Sequence, residues 1–276
     1  MTADLAWING TLRPASEATV SIFDHGLTVG DGVFETLKAV QGVPFAARRH
    51  LARLHTSADA LSLDIGATDD ELRGAMAAVL GDDPPPLARV RITVTGGPAP
   101  LGSDRGDGPA TVIVATGPLA PAAATTSACT VPWPRNERSA VAGIKSTSYA
   151  ENVRALALAK AGGCTEALFP NTVGMLCEGT GSNVFVVLGG RLLTPPLSAG
   201  CLAGVTRDLV LEVTDALEED VPIEALSEAE EVFLASTGRD VQPVHCVDGR
   251  TITAPGPRTA MAARAFAELA ASTSDP

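Results

Sequence analysis

Apolar positions recur at helical spacing in both halves of the chain. Across residues 48–62, apolar side chains stand at Leu51, Leu54, Ala58 and Leu61, which places them on one face of an amphipathic helix. Together with signals at helix ends, such as Gly81 before three prolines, the pattern predicts further helices. These are expected at about 69–80, up to about 160, at about 204–218 and at about 258–271.

Strands are predicted between these helices, and many of them are joined by hairpins. The pairs Asn9-Gly10 and Gln41-Gly42 are strong signals for tight turns between strands. The other predicted strands are one beginning at Thr19, ARVRITVTGG, ATVIVATG, TEALFP, MLCEG, NVFVVL, RLLTPP, EVFLAST and VQPVHCVDG. Because strands and helices do not alternate regularly, the sequence predicts an α+β protein.

One stretch carries few structural signals. PLAPAAATTSA, residues 118–128, has the composition of a linker between domains. We therefore predict a smaller N-terminal α+β domain at 1–117, an interdomain linker at 118–128 and a larger C-terminal domain at 129–276.

Composition narrows the classes of partner. A net charge of −12 without a basic stripe argues against nucleic acid as a partner. The segment MTADLAWING lacks the features of a secretory signal, and no apolar run reaches the roughly 18 residues that cross a bilayer. The five cysteines form no C-x-x-C motif, which favours a reducing compartment and no structural metal site. We expect a cytoplasmic protein without a membrane partner.

Common nucleotide and metal motifs are missing from the sequence. There is no G-x-x-x-x-G-K-[ST], no G-x-G-x-x-G before a helix and no H-E-x-x-H. His50 and His55 are five residues apart and do not share one helical face, so packing or surface roles are favoured over metal ligation.

Three features of the second half point to one cofactor. Lys145 follows the apolar run Val-Ala-Gly-Ile, and partial desolvation there would favour a nucleophilic amine. Glu178 ends a predicted strand, and Val205 and Thr206 begin a predicted helix whose N–H groups suit a phosphate. A lysine, a carboxylate for a pyridine nitrogen and a phosphate site are what pyridoxal 5′-phosphate requires. Arg53 would add a charge-assisted contact to the phosphate.

Several ordered blocks carry a resemblance that spans nearly the whole chain. They are WING, GDGVFETL, HLARL, IKSTSYAEN, EGTGSNVF, LTPP, LAGVTRD and STGRDVQPV. In these blocks the chain resembles fold-type IV pyridoxal-phosphate enzymes, the class IV aminotransferase family. The resemblance implies two α+β domains, pyridoxal 5′-phosphate as cofactor, a small-molecule amino substrate and a homodimer.

The resemblance also implies roles for individual residues. Lys145 should bind the cofactor covalently, Glu178 should partner its ring nitrogen, and Tyr149 should contact its phenolic oxygen. The remaining cofactor contacts implied are packing on the ring face by Leu202 and phosphate binding by Arg53, Val205, Thr206 and Thr237.

The reaction is less sharply defined by these shared residues. Thr36 stands where similar lyases carry a threonine that relays a proton to the leaving group. Arg105, in GGPAPLGSDRG, is a candidate to bind a substrate carboxylate or an ordinary surface arginine. We expect the 4-amino-4-deoxychorismate lyase reaction, which yields 4-aminobenzoate and pyruvate. The alternatives are an aminotransferase of branched-chain or D-amino acids and a catalytically silent binding relative.

Overall fold

The computed structural model describes residues 5–276, which form six α-helices and fifteen β-strands in two compact units. The first four residues of the segment MTADLAWING lie outside the described residues. Unit 1 contains the chain up to Ala120 together with Ile144–Ser148 and Ser274–Pro276. Unit 2 contains Pro121–Gly143 and Tyr149–Thr273.

Unit 1 is a six-stranded sheet with two helices packed against it. In chain order its elements are β1 (Leu5–Ile8), β2 (Thr11–Pro14), α1 (His25–Thr28), β3 (Gly32–Val40), β4 (Val43–Pro44), α2 (Ala47–Ala60), α3 (Asp69–Leu80), β5 (Leu87–Thr95) and β6 (Thr111–Pro118). The strand order is β2-β1-β6-β5-β3-β4, with every pair antiparallel. Helix α2 packs on β3 and α3 packs on β6, which encloses an apolar core.

Local sequence signals account for several elements of unit 1. Asn9 and Gly10 both have positive φ, as the tight turn between β1 and β2 requires, so this predicted hairpin is confirmed. At α3 the Thr68 hydroxyl accepts the N–H of Glu71, whose carboxylate accepts the N–H of Thr68, so the helix begins with a capping box. The helix ends at Leu80, as predicted. The strand expected to begin at Thr19 is not formed.

The segment Ile144–Ser148 lies along the edge of β3. The Phe34 N–H donates to the Lys145 carbonyl at 2.9 Å, and the Thr147 N–H donates to the Gly32 carbonyl at 2.8 Å. These bonds satisfy backbone groups of β3 that β4 does not reach, since β4 pairs only with the far end of β3. The segment therefore belongs to unit 1, although its position in the sequence suggested the C-terminal domain.

Unit 2 has twelve elements among the described residues, most of them in one large sheet. In chain order they are β7 (Thr126–Thr130), α4 (Ala150–Ala161), β8 (Glu166–Pro170), β9 (Leu176–Gly179), β10 (Asn183–Leu188), β11 (Arg191–Thr194), α5 (Val205–Val213), β12 (Leu217–Glu218), β13 (Glu231–Ser236), β14 (Asp240–Val247), β15 (Arg250–Thr251) and α6 (Pro257–Ser272). The strand order is β12-β11-β10-β13-β14-β7-β8-β9, and β15 pairs with β14.

Two intervals differ from the sequence-based expectation, one in unit 2 and one where the chain passes from unit 1 to unit 2. Helix α5 ends at Val213 and not near 218, because Leu217–Glu218 forms β12 and pairs in parallel with β11. The expected linker 118–128 overlaps β6 at Pro118 and β7 from Thr126, which leaves only 119–125 outside helices and strands. The core of unit 2 is apolar. The rings of Phe185 and Phe233 are also buried and stack with centroids 4.6 Å apart.

Within residues 5–276, no helix has the length and apolar character needed to cross a membrane. The same residues contain no cluster of three or more His, Cys, Asp or Glu side chains that could hold a metal ion.

Candidate active site

In unit 1, Lys145 is held by its backbone while its amine lies over an aromatic ring. Its N–H donates to the Ser57 hydroxyl at 3.3 Å, and its carbonyl accepts the N–H of Phe34. Its Nζ lies 4.5 Å from the centroid of the Phe34 ring, within the range of a cation–π contact. Pairing with β3 thus fixes the backbone from which the amine projects.

The residue after Phe34 in β3, Glu35, is a buried carboxylate. Glu35 is fully buried on the face of β3 that α2 covers. The Arg53 Nε–H donates to Glu35 Oε1 at 2.7 Å, and an Nη2–H donates to Oε2 at 2.8 Å. His50 Nδ1 lies 2.7 Å from Oε2, and because an ionised carboxylate only accepts, the ring nitrogen is the donor.

The ionisable groups in this cluster shift one another's pKa values. Burial alone would raise the pKa of Glu35, but Arg53 and His50 outweigh burial and lower it to about 2. Burial lowers the pKa of His50, and the positive charges of Arg53 and Lys145 lower it further against the opposing effect of Glu35. Glu35 is therefore ionised and His50 neutral near pH 7.

Thr36 and Arg105, the other two predicted site residues of unit 1, lie outside the cluster of Glu35, His50 and Arg53. Thr36 lies in β3 on the face opposite Glu35, the same face as Phe34. Arg105 makes a bidentate pair with Asp31, at 2.7 and 2.6 Å, and donates to the backbone carbonyls of Leu61 and Ser62. Four of its five N–H groups are engaged in this way, so its role toward a substrate stays a prediction.

In unit 2, Glu178 is held by a backbone donor and by an arginine. The Leu202 N–H donates to Glu178 Oε2 at 3.0 Å, and the Leu202 carbonyl accepts from the Asn183 side chain at 2.9 Å. On its other side, Glu178 Oε1 lies 3.4 Å from Nε of Arg135. Burial together with the negative charge of Glu178 raises the pKa of the neighbouring Cys201 thiol to about 12, which keeps that thiol neutral.

The start of α5 has the features of an anion site. Its N-cap is Gly204, which has no side chain to occupy the N–H groups of the first turn. Thr206 is buried there with its hydroxyl in the first turn. Thr237 lies in the turn between β13 and β14, and Tyr149 directly precedes α4.

The residues of each unit fit the chemistry of pyridoxal 5′-phosphate. Unit 1 supplies an amine and a guanidinium, and unit 2 supplies a carboxylate and a helix start whose N–H groups no side chain caps. An amine, a carboxylate and N–H donors are the groups that an aldehyde, a pyridine nitrogen and a phosphate need.

Sequence reasoning missed three residues that the structure brings into these clusters. Glu35 carried a weak signal, since it interrupts the apolar positions Val33 and Leu37 on one face of a strand. The sequence favoured a packing or surface role for His50, because its contact with Glu35 depends on the packing of α2 against β3. Arg135 stands in the loop sequence PWPRNER, where nothing local indicates a carboxylate partner.

Comparisons with known proteins define the class. The family described as Amino-transferase class IV matches residues 32–247. A Methanocaldococcus jannaschii protein provisionally named a branched-chain-amino-acid aminotransferase is 35% identical, over 89% of this chain and 88% of its own. The D-alanine aminotransferase of Bacillus licheniformis is 32% identical, over 91% of this chain and 92% of its own.

Solved structures agree with the sequence comparison. The branched-chain aminotransferase of Thermoproteus uzoniensis superimposes with a TM-score of 0.90 at 29% identity and covers 97% of this chain and 94% of its own. The T.th. branched-chain amino acid aminotransferase, solved with pyridoxamine 5′-phosphate, has a TM-score of 0.88 at 28% identity and covers the same shares.

The chain therefore belongs to the class IV aminotransferase family and has the fold-type IV α+β architecture. Its cofactor is pyridoxal 5′-phosphate, as predicted. The relatives are named as aminotransferases and not as aminodeoxychorismate lyases, so they favour our alternative reaction over the lyase reaction.

Proposed function

We propose that this protein is a pyridoxal-phosphate-dependent transaminase of branched-chain or D-amino acids. The observation that carries the proposal is the likeness to branched-chain aminotransferase structures over 97% of the chain. The D-alanine aminotransferase relative supports D-amino acids as the second substrate class.

When bound, pyridoxal 5′-phosphate supplies an electron-accepting ring that stabilises negative charge at the substrate α-carbon. In our proposal Lys145 binds the cofactor covalently and, once its Nζ is free, takes the α-proton of the amino acid. Pairing of its backbone with β3 fixes the position from which the amine projects in both roles. Tyr149 is proposed to bind the phenolic oxygen of the cofactor.

The other residues bind and orient. Glu178 holds a proton at the ring nitrogen, with Leu202 N–H keeping its carboxylate in place while the Leu202 side chain packs on the ring. The N–H groups of Val205 and Thr206 bind the phosphate, helped by Thr237. Arg53 is proposed to add a charge-assisted contact to the phosphate.

The transaminase and lyase reactions differ in their need for an amino acceptor. Purified holoenzyme should convert L-leucine, L-valine or D-alanine only when 2-oxoglutarate or pyruvate is present. Release of 4-aminobenzoate and pyruvate from aminodeoxychorismate without an acceptor would contradict the proposal and support the lyase. A Thr36→Val variant sharpens the result, since a proton relay at Thr36 is needed by the lyase and not by the transaminase.

We also propose that the protein works as a homodimer. Ile22, Phe23, Leu27 and Leu101 are exposed apolar side chains of unit 1. Their two segments are adjacent, because the Ala99 N–H donates to the Phe23 carbonyl. Exposed apolar groups of this kind are typical of protein interfaces. Light scattering should give twice the mass of one chain, and a monomeric mass would contradict the proposal.

A further inference from the structure

The side chain of Arg135 lies against the carboxylate that we assign to the ring nitrogen. Its Nε is 3.4 Å from Glu178 Oε1, on the side opposite the Leu202 N–H that donates to Oε2. The side chains of Arg135 and Glu178 are only 16% and 14% exposed, so solvent screens their attraction less than that of a surface pair. The two contacts restrict the carboxylate from both sides.

Arg135 is itself held in place by four contacts, one of which is an ion pair between Nη1 and the exposed Glu151 at 3.4 Å. Its guanidinium stacks over Phe169, with Cζ 4.3 Å from the ring centroid, and an Nη1–H donates to Asn152 Oδ1 at 2.9 Å. Its backbone N–H donates to the carbonyl of Pro170 at 2.7 Å. Phe169 is also the partner of Glu178 in the register of β8 and β9. The carboxylate and the ring on which Arg135 stacks are thus built on one pair of strands.

One polar atom in this arrangement is incompletely satisfied. The Nε of Arg135 is buried and has no aligned hydrogen bond, although Glu178 lies at ion-pair distance. A buried donor without an aligned acceptor is costly in a rigid scaffold. A small turn of the Glu178 carboxylate toward Arg135 would align this bond.

We infer that Arg135 is a positioning residue that keeps the Glu178 carboxylate oriented toward the ring nitrogen of the cofactor. The guanidinium is held by its stack on Phe169 and its bond to Asn152, so its charge attracts Oε1 from a fixed place and limits rotation of the carboxylate. The inference rests on the proposed role of Glu178. Arg135 acts through Glu178 and needs no contact with the substrate or the cofactor.

The test compares cofactor binding in Arg135→Met, Arg135→Lys and Glu178→Gln with the unsubstituted protein. Cofactor affinity is measured by titrating apoprotein, and protonation is read from the ¹⁵N chemical shift of ring-labelled pyridoxal 5′-phosphate. Loss of a residue that orients a primary contact costs about tenfold to a hundredfold in affinity at metal sites, and we expect a similar loss in Arg135→Met. Its ¹⁵N signal should move toward the unprotonated position, as in Glu178→Gln.

The lysine variant separates charge from shape. Arg135→Lys keeps a point charge but loses the fork and the planar stack, so it should bind the cofactor about three- to tenfold more weakly than the unsubstituted protein. Arg154→Met is the matched control, because exposed Arg154 also stacks on an aromatic ring, Trp133, with Cζ 4.6 Å from its centroid. Its affinity and ¹⁵N shift should not change.

Each outcome bears on a separate claim. A wild-type affinity and ¹⁵N shift in Arg135→Met, with both altered in Glu178→Gln, would overturn the role of Arg135 and leave that of Glu178 intact. A wild-type shift in Glu178→Gln would overturn both roles. Thermal unfolding of the apoproteins shows whether Arg135→Met folds, and if it does not, wild-type values in Arg135→Lys overturn the inference.

Discussion

Each unit of the molecule contains an arginine–carboxylate pair, and the two pairs are built differently. In unit 1, the fully buried Glu35 receives two N–H groups of Arg53, at 2.7 and 2.8 Å, and a third donor from His50. In unit 2, Arg135 lies 3.4 Å from a partly exposed Glu178, whose other oxygen accepts a backbone N–H. A carboxylate saturated by fixed donors serves the fold, whereas one held at longer range can also serve a ligand.

The largest effect is expected when the cation of the buried pair, Arg53, is removed. Arg53→Met leaves the Glu35 charge buried with only His50, and loss of one partner of such a pair costs about 3–5 kcal/mol of stability. Urea unfolding of apoprotein measures this free energy. Arg48→Met, on the exposed face of the same helix, should change it by less than about 1 kcal/mol. Equal losses in the two variants would contradict the structural role of Arg53.

The pH dependence of stability tests the same pair without removing Arg53. Glu35 titrates near 2 in the folded protein, below its ordinary value of 4.5. A lowered folded-state pKa stabilises the protein above pH 4.5 and loses that stabilisation as the pH falls from 4.5 to 2. The loss should be about 3 kcal/mol in the unsubstituted apoprotein. Glu35→Gln should show a flatter profile over this range, and an unchanged slope in denaturation midpoints would refute the assignment.

The carboxylate of unit 2 should behave differently in the absence of cofactor. Glu178→Gln keeps the shape of the side chain, and Arg135 keeps its bond to Asn152 and its ion pair with Glu151. The free energy of unfolding of apoprotein should therefore fall by only about 1 kcal/mol. The same variant should bind cofactor poorly. A loss of apoprotein stability as large as that of Arg53→Met would mean that both pairs serve the fold.

The smallest expected effect concerns the proposed phosphate contact of Thr206. Thr206→Val removes one hydroxyl donor from the first turn of α5 and leaves the backbone N–H groups in place, so cofactor affinity should fall about fivefold, or about 1 kcal/mol. Titration of apoprotein with cofactor measures it. Thr214→Val, just beyond the other end of this helix, where the hydroxyl donates to the Val210 carbonyl, is the control and should bind cofactor normally.

Signals that are local in sequence predicted the elements that local chemistry builds. Thr68 and Glu71 define the start of α3, and Asn9-Gly10 defines the first hairpin. Contacts between distant residues carried no such signal. The pairing of Lys145 with Phe34 joins residues more than one hundred positions apart, and it placed the lysine segment in unit 1.

The candidate site shows the same division. Lys145 and Glu178 could be singled out because each lies at a recognisable position, after an apolar run or at the end of a strand. Arg135 could not be singled out, because its role depends on Phe169 and Glu178 being neighbours on paired strands. No local sequence signal marks the end of α5 at Val213, because the residues beyond it form β12, which pairs in parallel with the distant β11.

The edge position of Ile144–Ser148 has a consequence for biosynthesis. The chain leaves unit 1 after Ala120, returns to it for Ile144–Ser148, and enters it again at Ser274, whose carbonyl accepts the N–H of Ala46. A nascent chain that has reached only Ala120 therefore exposes the edge of β3 as unpaired backbone, a template for unwanted association. Unit 1 is completed only after most of unit 2 has been translated, so the two units are not modules that a ribosome can finish one after the other.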